Sequence, residues 1–166
     1  MSHIATIETE FRDLDALEAA CRSLGLELRR GQATFAWWGT LGDRVSMTAE
    51  QLIAKLRRYD KTFRPPAGVD LDEWRRGACE HVIAISGDEY QIGLRKTSTG
   101  WGLVGDFDMF EKLGRVVGQR GGLLKQAYGI EIDKRIAARS AQLRGFRLAA
   151  ETTLPNGTKQ LRFVKS

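Results

Sequence analysis

Gly118-Gln119-Arg120-Gly121-Gly122-Leu123-Leu124-Lys125 sets an arginine and a lysine around the start of a basic helix that continues to Gly145-Phe146. The first backbone N–H groups of such a helix have no intrahelical acceptor and sit at the positive end of its dipole. The natural guest is an anion. At about 100° per residue, Lys125, Arg135 and Arg139 fall on the side of Tyr128. A tyrosine ring flanked by cations has the chemistry to stack a base and hold its phosphates. Snorkelling side chains around a half-buried tyrosine account for the same residues. The candidate anion or nucleic-acid set is therefore Arg120, Gly121, Gly122, Lys125, Tyr128, Arg135 and Arg139. A P-loop would place Lys and Ser/Thr directly after its second glycine; here Leu123 and Leu124 intervene and Gln126 stands where the metal-binding hydroxyl belongs. The run does not meet the dinucleotide fingerprint either.

Trp37, Trp38 and Trp74 stand among Lys55, Arg57, Arg58, Lys61, Arg64, Arg75 and Arg76. Those are the ingredients of a nucleic-acid groove, or of a docking surface for a protein partner. The chain lacks paired Cys/His zinc spacing, an aromatic RNP motif and a GXXG clamp. Cys79 and His81 share a side if their segment is a regular strand, and His3 approaches them if the first strand lies beside it. Zinc ligation or a thiol–imidazole pair would need that convergence. A lone Cys-x-His has no second pair, so neither a metal nor a cofactor is expected. Ser2, Asp13 and Asp106 complete no catalytic triad, and the reading leans away from an enzyme.

The secondary structure around these residues follows from periodicity. Ile4 to Phe11 alternates as a strand, with Ala5, Ile7 and Phe11 on one face and Glu8 and Glu10 on the other. Asp13 then caps a helix whose apolar stripe is Leu14, Leu17, Cys21 and Leu24, with Gly25 as its stop. Leu26 to Arg29 and Ala33 to Trp38 read as short strands. Thr48 and Gln51 have capping-box spacing ahead of Leu52, Ile53, Leu56 and Tyr59; Pro65-Pro66-Ala67-Gly68 then breaks the chain. Segments at His81–Ile85, Tyr90–Leu94 and Trp101–Gly105 form a three-strand antiparallel meander. Asp106 or Asp108 caps a short helix bearing Phe110 and Leu113, and Pro155-Asn156-Gly157-Thr158 turns a C-terminal hairpin. The fold expected is α+β: a mostly antiparallel sheet of the first strand, the meander and the C-terminal hairpin, with two main helices on one face. Residues 1–166 read as a single domain, with 40–76 an inserted helical and loop excursion too short to bury much.

The net charge of +5 is uneven. From Phe107 to Ser166 there are twelve Lys/Arg against five Asp/Glu, and before that fourteen against sixteen. A positive C-terminal face suits phosphates, nucleic acid or an acidic protein. Two cysteines make no disulfide framework, the N-terminus lacks a signal-peptide layout, and no apolar run reaches membrane-spanning length. These features point to the cytoplasm and away from a membrane.

Met1-Ser2-His3, Asp13-Leu14-Asp15-Ala16-Leu17, Cys79-Glu80-His81, Tyr90-Gln91-Ile92-Gly93, Leu124-Lys125-Gln126-Ala127-Tyr128, Gly145-Phe146 and Asn156-Gly157 together resemble a family of small proteins of unknown function. The family is typified by a hypothetical chloroplast open reading frame also found in cyanobacteria, with bacterial and bacteriophage members; the Leu124 to Tyr128 run is most similar to the phage type. The resemblance covers nearly the whole chain except about Thr40 to Arg76. It carries over no catalytic residue and implies, for a phage-like protein, an accessory role in nucleic-acid machinery. The function expected is a non-enzymatic module binding nucleic acid or another polyanion, or alternatively a protein–protein adaptor or accessory subunit of a larger ATPase.

Overall fold

The computed structural model describes residues 4–65, 67–107 and 112–166, the side chains of Ala5 and of residues 8–10 excepted. His3, Pro66, Asp108 and Phe110, and the facing of Ala5, Glu8 and Glu10, lie outside what is described. The fold is α+β. Strands β1 (Ala5–Phe11), β2 (Glu27–Arg30), β3 (His81–Ala84), β4 (Ile92–Lys96) and β5 (Trp101–Gly105) form one sheet in the order β1-β5-β4-β3-β2. All its pairings are antiparallel.

Neighbouring residues on a strand point to opposite faces, and both faces of this sheet are covered. Ile83, Ile92, Leu94 and Leu103 pack with Phe11, Leu17, Cys21, Leu113 and Leu124. That layer is built from α1 (Leu14–Ser23), α4 (Lys112–Val117) and the first turns of α5 (Gly122–Leu143). Asp13 caps α1 as its spacing predicts, its Oδ1 accepting from Ala16 N at 2.9 Å. Asp88 Oδ2 accepts from Leu113 N at 3.0 Å, at the start of α4.

Val82 and Val104 face the other way, into a second core of Phe35, Trp37, Leu52, Ile53, Leu56, Phe63 and Trp74. Segment 40–76 supplies most of it through α2 (Ala49–Tyr59) and α3 (Leu71–Arg76), contrary to the expectation that it buries little. Both helices are amphipathic and well capped, Thr48 and Gln51 by a reciprocal capping box and Asp70 by accepting from Glu73 N. Gly93 lets Phe35 lie on the sheet: a Cβ there would stand 2.5 Å from the Phe35 ring. Ala33 to Trp38 is not a strand. Only a bridge between Thr34 and Ala78 forms, because Ala36 N donates to the Gln91 side chain and Trp37 turns inward.

The C-terminal hairpin departs from expectation in one respect. Among the described residues, strands β6 (Phe146–Thr153) and β7 (Lys159–Lys165) pair only with each other, as a separate two-stranded sheet. The buried residues of α5, Leu124 and Glu131, lie in its first half. About 33 Å of helix carries the chain away from the large sheet, and the hairpin folds back along α5 instead.

Candidate functional site

The hinge before α5 is held by backbone conformation. Gly121 sits at φ +73 and is buried, and a Cβ on it would come 2.7 Å from Leu103 Cδ1. Only glycine meets both demands. Arg120 is exposed in the left-handed region at φ 50, an uncommon place for a side chain. Gly122 N–H donates to the Gln119 carbonyl, so one of the first amides of α5 is already taken. Lys125 is half-buried; among the described residues neither it nor Arg120 enters an ion pair.

Tyr128 and Arg135 are engaged elsewhere. Tyr128 Oη accepts from Arg12 N at 3.0 Å and Asp13 N at 3.1 Å, and its ring meets Phe11 edge-on with centroids 5.0 Å apart. Arg135 Nη1 donates to Asp13 Oδ2 at 3.0 Å. One side of α5 is thereby locked onto the N-terminus of α1, with the Tyr128 ring half-buried in the clamp. Arg139 is exposed about 21 Å of helix beyond Lys125. The seven residues singled out in the sequence thus divide into a hinge group, a structural clamp and a distant cation. A stripe of Lys125, Ile132, Ile136, Arg139 and Leu143 runs along α5 between the α1 side and the hairpin side. Its apolar members become bare toward the end, Ile136 at 63% and Leu143 at 83% exposed.

The tryptophans form no open docking surface. Trp37 and Trp74 are core residues with ring centroids 5.2 Å apart. Trp38 is half-buried, with the Arg44 guanidinium 4.6 Å from its ring centre and the Tyr59 ring against it. Cys79 and His81 do not converge. The backbone is irregular at residues 78–80, so Cys79 packs with the Trp37 core while His81 lies against Trp101 on the opposite face. Burial pushes the Cys79 thiol up to about 12 and lowers the His81 pKa, whose Nδ1 accepts from Gly31 N. Among the described residues no cluster of His, Cys, Asp or Glu is arranged to hold a metal.

What the sequence reading missed is the surface built by the hairpin. Lys134 is held by both Glu131 oxygens at 2.9 Å and by Glu151 at 2.8 Å, and Lys159 closes the knot on Glu151 at 2.9 Å. Lys134 first, then Lys159, holds the Glu151 carboxyl below its ordinary range. Beside this knot a cleft of about 480 Å³ opens between α5 and the hairpin tip, lined by Ile130, Asp133, Ala137 and Asn156 among others. The register places Glu151, Lys159, Leu161 and Phe163 on the face toward α5, and Arg147, Ala150, Thr152, Gln160, Arg162 and Val164 on the face turned away. Period-two alternation in β7 was the signal that could have found this face.

Compared with known proteins, the chain matches no family model, no curated protein and no solved structure. Among the described residues no helix is long and apolar enough to cross a membrane.

Proposed function

We propose that the protein is a non-enzymatic binding module for a polyanion, nucleic acid first, acting in the cytoplasm as an accessory to nucleic-acid machinery. One observation carries this reading. Cations before Phe107 are mostly occupied: Arg22, Arg29, Arg30, Arg44 and Lys55 meet carboxylates, while Arg57, Arg75 and Arg95 donate to carbonyls. In the last third, Arg120, Lys125, Arg139, Arg144, Arg147, Arg162 and Lys165 enter no ion pair among the described residues. A positive field that the protein does not neutralise itself attracts an anionic partner. The phage-type resemblance fits the same role.

Binding should follow counterion release. Each phosphate neutralised steepens the salt dependence, so five or six such contacts would give a slope of log affinity on log salt of about −5. Fluorescence anisotropy of labelled oligonucleotides across a salt series tests this. The absence of binding to DNA, RNA and heparin at low salt would overturn the reading. A second reading, a protein adaptor, draws on the bare Ile136 and Leu143; a partner captured through them would bind with little dependence on salt.

A further inference from the structure

We infer that the outward face of the β6–β7 ribbon docks in the major groove of duplex DNA. The inference rests on the polyanion reading and names the partner and the surface. Three observations carry it.

The first is shape. Among the described residues β6 and β7 hydrogen-bond to no other strand, and every residue of β6 is exposed. Two strands about 4.8 Å apart make a ribbon that a groove about 12 Å wide admits. Residues two apart on a strand are separated by roughly 6.7 Å, close to two base-pair steps of about 3.4 Å. Gln160, Arg162 and Val164 therefore advance along a strand in near step with the base pairs.

The second is chemistry. Arginine matches the guanine edge with two hydrogen bonds, glutamine matches adenine likewise, and small apolar groups meet the thymine methyl. Across the ribbon each long reader faces a smaller residue: Gln160 pairs with Thr152, Arg162 with Ala150 and Arg147 with Val164. The long side chains are not crowded by their cross-strand neighbours.

The third is charge. The outward face carries no acid. Glu151, the only carboxylate of the hairpin, points toward α5 and is held there by Lys134 and Lys159. Arg147 and Arg162 are exposed and unpaired among the described residues. The face also carries no aromatic residue, since Phe163 and Phe146 lie on the other side, so it lacks a platform for unpaired bases. Duplex RNA has a major groove too deep and narrow for side chains to read. The chemistry selects B-form DNA.

The test compares the binding of this 166-residue chain to a 20-base-pair DNA duplex (about two helical turns), the matching single strand, duplex RNA and polyglutamate. Duplex DNA should win by about tenfold or more, as one good bidentate contact supplies. Arg147→Ala with Arg162→Ala should weaken duplex binding about 10- to 100-fold and flatten sequence preference in selection from randomised duplexes. Arg162→Lys keeps the charge and should lose sequence preference while retaining most affinity. Arg139→Ala should weaken all sequences alike. Melting curves confirm that each exposed-site variant stays folded. Unchanged duplex binding in the double variant overturns the ribbon assignment and leaves the polyanion reading standing. Equal binding of single strands, duplex RNA or polyglutamate overturns the duplex assignment in the same way. Failure to bind any of them overturns both.

Discussion

Replacing Tyr128 with Phe decides whether that residue is part of a binding site or part of the fold. The hydroxyl accepts from Arg12 N and Asp13 N, while the ring packs edge-on against Phe11. Tyr128→Phe keeps the ring and deletes only the acceptor. Each backbone hydrogen bond lost costs about 0.5–1.5 kcal/mol net, more where the donor cannot reach water. The Arg12 bond is exposed, which puts it at the low end, and the Asp13 bond is part-buried, which puts it higher. The sum is about 1–2 kcal/mol. In a chain of this size that lowers the melting temperature by roughly 3–6 °C. Differential scanning calorimetry measures it, with oligonucleotide anisotropy run alongside. The expected pair of results is a lower melting temperature and an unchanged DNA affinity. A variant melting within about 1 °C of the parent, or one that binds DNA more weakly while fully folded, would refute the clamp.

Three further outcomes are expected. Glu151 is held below the ordinary carboxylate value of 4.5 by Lys134 and Lys159, so the knot contributes stability above about that pH and loses it as acid titrates the folded carboxyl. Protection of the hairpin amides, taken relative to the intrinsic exchange rate at each pH, should therefore fall between neutral pH and about 3 more in the parent than in Glu151→Gln; an equal fall in both would remove the knot as the cause. Cys21 and Cys79 are both pushed to about 12, chiefly by burial, so native protein at neutral pH should resist iodoacetamide, and rapid labelling of either would contradict that. Trp74→Ala should cost about 3–5 kcal/mol, and replacing 40–76 by a short linker should abolish cooperative melting, because it strips the cover from Val82 and Val104; a sharp transition in the deletion variant would show that the second core is dispensable.

The parts of the fold legible in the sequence are those whose signals are local. Asp13 as an N-cap, the capping box at Thr48 and Gln51, and the alternation through His81, Ile92 and Trp101 each depend on residues a few positions apart. Trp37 and Trp74 mislead because hydrophobic rings interleaved with arginines look alike in a core and in a groove; only the packing of 40–76 onto the back of the sheet separates the two. Arg135 misleads for a related reason. Its partner Asp13 lies 122 residues away, and no pattern on α5 announces it. Charge counts along a chain give the total field, whereas binding depends on the cations left over after the fold has paired the rest. That subtraction removes Tyr128 and Arg135 from the candidate surface, keeps Arg120, Lys125 and Arg139, and adds Arg144, Arg147, Arg162 and Lys165. The hairpin is the larger consequence. Had β6 and β7 joined the main sheet, one edge of the pair would be occupied and the outward arginines would lie on a covered or shared face. Standing apart on α5, the pair keeps both edges and one whole face open, at the end of the molecule where unpaired positive charge is densest.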